Sequence, residues 1–258
     1  FLKHLQSGGY PDAWFAESPW PILQELIYAF VIRDASDLFA IKYPDAFYKL
    51  LKLCAFDTGN LINLTQWAAI CGIDRETINN YLDILEETHI IRRVRPFLAG
   101  KRAEITRKPK IYFLDNGVRN YLTGIVSGLA DAQAEEVLHR PDTGAIVENW
   151  VFTELSKNLN QNWQIHFWRS TSGAEVDFVL TGGREIIALE VKTARMTQPK
   201  ISRSARSFIK AYKPKIFCVL NQNLQTKIQI EGSEVCFEIF THLPEWLEKI
   251  TAQERTFI

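Results

Sequence analysis

Apolar positions in the first part of the chain recur three and four residues apart. After a Gly-Gly turn and the Pro-rich patch SPWP, the stretch ILQELIYAFVIRDASDLFAI carries that helical period. From Pro44 three more stretches keep it: DAFYKLLKLCAF, LTQWAAICG and DRETINNYLDILEETHII. Leu64 to Ala69, then Gly72, then a helix opened by Asp74 give the helix, tight turn, helix order of a DNA-binding helix-turn-helix. Asp74 is the expected N-cap, with Thr77 in the first turn. Beyond Ile91 the pattern becomes IRRVRPF, a basic turn and KPKIYFLD, which reads as a β-hairpin with a basic loop. Three helices plus a hairpin make a winged helix.

After Asn116 the two periods mix. A helix beginning near Gly144 (GAIVENWVFTELSKNL) leads to a strand QIHFWRS, a hairpin EVDFVLTGGREIIALEVK, a basic helix over about 202–212, and strands KIFCVL and VCFEIF. The expected class is mixed α/β (α+β). It divides into a helical segment 1–43, a winged helix-turn-helix 44–115 and an α/β domain 116–258 whose mixed sheet is flanked by helices.

Composition adds boundaries to this picture. A chain of 258 residues exceeds what one core organises, in line with several parts. Although 47% of residues are apolar, no run approaches the roughly 18 that suggest a membrane span, so no membrane partner is expected. The opening FLKHLQSGGYPDAW has Phe at its head and lacks the basic, apolar and small-residue succession of a signal peptide; the expectation is a cytoplasmic piece of a longer protein. Cys54, Cys71, Cys218 and Cys236 stand far apart in apolar surroundings and read as reduced core residues. A Cys218–Cys236 bridge stays geometrically open, because the two could occupy adjacent strands. Trp67, Trp150, Trp163 and Trp168 read as packing residues, and His89, His139, His166 and His242 show no ligand spacing.

Net charge is zero, from 30 basic and 30 acidic residues, yet the charges segregate. Between Arg92 and Lys110 eight basic residues face one acid, Glu104, and between Lys192 and Lys215 eight more face none. Such runs are the electrostatic footprint of a polyanion, with an unpartnered solvated face as the alternative. Arg75, Thr77, Asn79 and Asn80, at the start of the second helix of the helix-turn-helix, could meet phosphates or base edges. Lys101 and Arg102 in the hairpin loop, and Arg203 and Arg206 on the basic helix, are the matching candidates for DNA. The alternative for this module is a protein partner.

The hairpin EVDFVLTGGREIIALEVK gathers the reactive chemistry. If TGGR forms its tip, Leu180 pairs with Glu185 and Asp177 with Ala188, and Glu190 lies diagonally from Asp177. Alternation then places Asp177, Glu190 and Lys192 on one face. Val176, Phe178, Ile187, Leu189 and Val191 point the other way. Glu175 competes for the same face as Asp177, and Glu190 with Lys192 could be a plain salt pair. Two close carboxylates need a compensating cation, and a hard divalent ion such as Mg²⁺ supplies one. With Lys192 beside it, that set suits phosphodiester hydrolysis.

Asp177 followed by Glu190-Val191-Lys192, with Glu148 on the preceding helix, resembles the D-(x)n-E-x-K signature of the restriction-endonuclease-like superfamily. The resemblance implies Asp177 and Glu190 as metal ligands, Lys192 as catalytic cation and Glu148 as a further ligand or anchor for metal-bound water. Parity does not tell whether Glu148 reaches the same end of the sheet. GGYPDAW, Arg33-Asp34, IRRVRPF, KPKIYFLDNGVRNYLTG, TGAIVENWVFTEL, FWRSTSGAEVDFV, ALEVK and SRSARSFIKAY together resemble a family of prokaryotic AAA-type ATPases, over essentially the whole chain. That resemblance implies an ATPase domain ahead of residue 1, with ATP bound only there; the ATPase domain of the same protein is the expected partner, and a homo-oligomer stays open. No G-x-x-x-x-G-K-[ST] phosphate loop occurs in the sequence, so this piece is not expected to hydrolyse ATP.

Overall fold

A computed structural model of the chain describes residues 1–29, 33, 38–97, 108–124, 142–183 and 185–252. Lys101 and Arg102, with Asp34, lie outside the described residues. The chain is mixed α/β and forms two compact units, Phe1–Arg93 with Lys108–Thr153, and Val94–Arg107 with Glu154–Ile258.

The first unit is helical. Its helices are α1 (Leu2–Ser7), α2 (Pro11–Phe15), α3 (Pro19–Ile27), α4 (Pro44–Phe56), α5 (Leu64–Cys71), α6 (Arg75–Glu87), α7 (Asn116–Leu122) and the start of α8 (Thr143–Asn158). The start of strand β1 (Ile91–Pro96) has β2 (Lys110–Phe113) as its neighbour. The helix-turn-helix order appears at α5 and α6, and its local chemistry explains why. Asn63 Oδ1 accepts the Gln66 N–H at 3.3 Å to start α5. Gly72 then turns the chain with φ 70°, a left-handed conformation in which any Cβ is strained. Asp74 Oδ1 accepts the Thr77 N–H at 2.8 Å to start α6, as the sequence predicts. Leu50, Leu51 and Cys54 of α4, Trp67 of α5 and Ile78, Leu82 and Leu85 of α6 bury one shared apolar surface.

The second unit is built on the sheet. Its strands are β3 (Trp163–Arg169), β4 (Glu175–Gly182), β5 (Glu185–Val191), β6 (Ile216–Asn221), β7 (Thr226–Ile230) and β8 (Ser233–Ile239). They run in the order β3-β4-β5-β6-β8-β7, with the end of β1 parallel to β3 through Arg95 and Pro96. The β3-β4-β5 meander is antiparallel, β5-β6-β8 is parallel, and β7 returns antiparallel along β8. Helix α9 (Arg203–Tyr212) makes the β5 to β6 crossover, and α10 (Leu243–Ala252) follows the last strand. Ala205, Phe208 and Ile209 of α9 pack on Val179, Ala188, Phe217 and Val219 of the sheet. Cys218 and Cys236 do sit opposite one another on adjacent strands, as buried free thiols, and burial pushes the Cys218 thiol up.

Two expectations need correction. The β4-β5 turn is tighter than a TGGR tip: Gly182 pairs with Glu185 and Leu180 with Ile187. The pairing is therefore offset by two residues from the expected Leu180–Glu185 register, and Ala188 faces Val179 instead of Asp177. The basic run from Arg92 to Lys110 is also less of a surface than its sum suggests. Arg93 is held at 2.7 Å by Glu86, and Lys110 is 2% exposed against Glu148. Both partners lie outside the run, where a window count cannot see them.

Candidate functional site

Strands β4 and β5 bring Asp177, Glu190 and Lys192 together in the second unit. The β3-β4 register shifts between His166 and Trp168, so Asp177 and Phe178 both face Phe167. Such an extra residue breaks the ladder and re-aims a side chain. The Asp177 carboxylate accepts the Val191 backbone N–H on Oδ2 at 2.7 Å, between the two other candidates in sequence. Glu190 is 4% exposed, and a buried carboxylate needs partners. Lys192 Nζ lies 2.7 Å from its Oε1, and Ser202 Oγ donates to its Oε2 at 3.0 Å.

Ser202 is a site residue that the sequence reading missed. Its Oγ also accepts the Ala205 N–H at 2.9 Å, which makes it the N-cap of α9. The helix start thus delivers a hydroxyl and the positive end of its dipole to the Glu190 carboxylate. The only sequence signal was a serine ahead of an amphipathic basic stretch. Ser204 ties the same helix end to β4 by accepting the Glu175 N–H at 3.2 Å. Glu175 itself pairs with Arg169 at 3.2 Å, at the outer end of the strand.

Glu148 has a different setting. It belongs to the first unit, on α8, where its Oε1 accepts from Tyr112 Oη at 2.6 Å and from Lys110 Nζ at 3.2 Å. The next residue, Asn149, clamps the Phe113 peptide: its Oδ1 accepts the Phe113 N–H at 2.8 Å and its Nδ2 donates to the Phe113 carbonyl at 3.2 Å. Asn149 Nδ2 also reaches Asn116 Oδ1 at 2.6 Å, and Asn120 Nδ2 donates to the Leu5 and Gln6 carbonyls at 2.8 and 2.9 Å. Asp115 accepts from the Gly9 N–H at 2.7 Å and the Val118 N–H at 3.0 Å, while burial raises its carboxyl above the usual range. Burial also lowers the Arg119 guanidinium to about 10. At Gly117 a Cβ would meet the Ser7 carbonyl oxygen at 2.2 Å, so only glycine lets α1 and α7 approach this closely. The segments GGYPDAW, LDNGVRN and TGAIVENW, far apart in sequence, thus assemble one buried polar network.

The nucleic-acid candidates divide in two. Arg75, Asn79 and Asn80 are exposed on the first turns of α6. Thr77 is half-buried, and its hydroxyl donates to Asp74 Oδ2 at 2.6 Å, inside the cap. Arg203 and Arg206 are exposed on α9. Among the described residues no three His, Cys, Asp or Glu side chains form a group able to hold a metal ion. Asp177 and Glu190 are the hard oxygen donors of the second unit's site, a set that matches the one or two carboxylates Mg²⁺ commonly takes before water and phosphate complete its shell. No helix among the described residues is long and apolar enough to cross a membrane.

Comparison with known proteins places the chain against families without an assigned activity. It is similar, at 29% identity over 206 residues, to uncharacterized proteins of Mycobacterium tuberculosis and Mycobacterium bovis, covering 78% of this chain and 44% of each relative. An uncharacterized Haemophilus influenzae protein is 22% identical over 198 residues, covering 74% of this chain and 45% of that protein. The matched part of the chain therefore spans less than half the length of these relatives. Residues 1–128 match the family described as Domain of unknown function (DUF8612), and residues 143–239, which contain Glu148, Asp177, Glu190 and Lys192, match Domain of unknown function (DUF4143).

Proposed function

We propose that this chain is the DNA-binding region of a cytoplasmic AAA-type ATPase and carries a restriction-endonuclease-like site for phosphodiester hydrolysis. The match to DUF4143, typically the C-terminal region of AAA-ATPase proteins, supports the context, as do relatives that extend well beyond the matched region, which covers 44% of their length. ATP binding then belongs to the longer protein, because the phosphate-loop motif is absent here. The α4-α5-α6 helices with β1 and β2 serve as the winged helix that docks on duplex DNA.

One observation carries the hydrolytic reading: Lys192 Nζ stands 2.7 Å from the buried Glu190 carboxylate, while Asp177 is pinned to the intervening Val191 N–H. Mg²⁺ held by Asp177 and Glu190 would polarise a scissile phosphate when bound. The protein's own groups do the rest. Lys192 offers a cation to developing negative charge, and Ser202 keeps Glu190 oriented. A non-catalytic second reading is favoured by the fact that both Glu190 oxygens already have partners. Under it the same unit binds nucleic acid and the ATPase does the work.

The test incubates the full chain with Mg²⁺ or Mn²⁺ and double- and single-stranded DNA and RNA. Divalent-dependent cleavage that disappears in Asp177→Asn and in Lys192→Ala is expected. Intact substrates in every arm, or full activity in both variants, sink the hydrolytic reading and leave the binding one.

A further inference from the structure

The second unit has paired cations, cations on α9, and Arg195, Lys200 and Lys249, which are exposed elsewhere. Lys157, Arg169, Lys192, Lys215 and Lys227 each stand within 3.4 Å of a carboxylate. Arg203, Arg206 and Lys210 on α9, with Lys213 in its left-handed cap, are exposed and form no ion pair among the described residues. Their spacing of three, four and three residues puts all four on one face of the helix. The opposite face is committed to the core through Ala205, Phe208 and Ile209. No acid occurs between Lys192 and Lys215 to neutralise the stripe. At about 1.5 Å per residue it runs roughly 15 Å, the rise of four or five phosphates along one strand of a duplex.

The composition of that face selects among polyanions. Single-strand binders combine a basic track with exposed aromatic rings on which bases stack. Among the described residues the large exposed hydrophobic side chains lie between Phe15 and Ile70, all in the first unit. The outward face of α9 offers guanidinium and ammonium groups, Ser207 and Ala211, and no Asn or Gln to read a base edge. A basic helix face also suits B-form DNA, whose major groove admits a helix, over duplex RNA, whose deep and narrow major groove does not.

We propose that the exposed face of α9 is a docking surface for the phosphate backbone of double-stranded DNA, recognised by charge and without base readout. This rests on the nucleic-acid reading above and goes beyond it in naming the surface, the strandedness and the mode. It also gives the stripe a direction. The N-cap of α9, Ser202, bonds the Glu190 carboxylate at 3.0 Å, so a strand held by Arg203 and Arg206 reaches the end of the sheet that carries Glu190 and Lys192.

The experiment is fluorescence anisotropy of the full chain with a labelled DNA duplex of arbitrary sequence, its separated strands and the equivalent RNA duplex, across a salt series. For wild type, DNA duplex affinity exceeds that for the single strands and the RNA duplex and does not change with sequence. Replacing Arg203, Arg206 and Lys210 together by Gln lowers the slope of log affinity against log salt by about 2.7, at about 0.9 per lost phosphate contact. With affinities equal at about 1 M salt, that corresponds to a loss of roughly 500-fold at about 0.1 M salt. Lys227→Gln with Lys249→Gln leaves the slope unchanged. Should the triple variant misfold by circular dichroism, Arg206→Gln alone lowers the slope by about 0.9. An unchanged slope in the α9 variants overturns the surface while the nucleic-acid reading stands. Single-strand, RNA or sequence preference overturns the duplex assignment. Absence of binding to any nucleic acid overturns both.

Discussion

Replacing Glu148 by Gln separates a structural role for this carboxylate from a catalytic one. Lys110 is 2% exposed and Glu148 19%, with 3.2 Å between Nζ and Oε1. The glutamine carbonyl can still accept from Tyr112 Oη, so the hydrogen bond at 2.6 Å survives in kind. The charge on Lys110 then loses the Glu148 carboxylate while remaining buried. Removing one partner of a buried pair costs about 3–5 kcal/mol, and the residual exposure of Glu148 places this case near the lower end, about 3 kcal/mol. For a chain of this size that lowers Tm by roughly 6–12 °C.

The double-mutant cycle supplies the control. Lys110→Met keeps the aliphatic stem and removes the charge, so Glu148→Gln added to it costs much less than Glu148→Gln alone. A coupling of about 1–3 kcal/mol is expected from urea denaturation of the four proteins. Cleavage, if wild type shows it, should persist in the folded fraction of Glu148→Gln. Unchanged stability together with abolished cleavage would refute the ion-pair assignment and return Glu148 to the metal.

Three further outcomes follow from the same contacts. Ser202→Ala removes the N-cap of α9 and the bond to Glu190 and lowers stability by about 1–2 kcal/mol, with Ser202→Thr restoring most of it; equal urea midpoints for all three would contradict the assignment. Gly117→Ala drives a methyl group to 2.2 Å from the Ser7 carbonyl, so limited proteolysis should cut near α1 in the variant and spare wild type. Asp115 has a folded pKa raised by burial, so its contribution is full below the ordinary carboxylate range and is lost as pH climbs through the raised value. The stability advantage of wild type over Asp115→Asn therefore narrows as pH rises from the ordinary carboxylate range through the raised value, and a widening gap in urea unfolding would reverse the sign.

What the sequence makes legible is local chemistry. Asp74 as a cap, Gly72 as the turn and the apolar period of α6 need only near neighbours, and all stand where the pattern puts them. Strand β7 escapes because TKIQI is an edge strand with alternate residues exposed, and Lys and Gln dilute its apolar signal. Lys110 escapes for a different reason. Its burial is decided by a carboxylate 38 positions later, while the nearest charges in its own stretch of sequence, Arg107 and Lys108, are cations. Asn116, Asn120 and Asn149 look like ordinary polar helix positions until their carbonyl partners on other segments are known. Burial of a polar group is a property of the fold, and no window of sequence contains it.

The hairpin shows why a wrong turn can still give the right face. Moving the register by two residues, from Leu180–Glu185 to Leu180–Ile187, leaves the paired side chains of Phe178–Gly182 and Glu185–Leu189 on the sides they had, because the strand period is two, whereas Val176, beyond the β3-β4 irregularity, joins Val179 and Ala188 instead of the opposite face. An error of one would have exchanged Asp177 with Phe178 and put a phenylalanine beside Glu190. The grouping of Asp177, Glu190 and Lys192 therefore depends on the parity of the turn and not on its length. Parity stops at β3, where Asp177 and Phe178 share Phe167 as a neighbour. That extra residue ends regular pairing and leaves the Asp177 carboxylate, instead of a backbone carbonyl, to accept the Val191 N–H at 2.7 Å. The irregularity that sequence alternation cannot encode is thus what aims the carboxylate at the strand carrying Glu190 and Lys192.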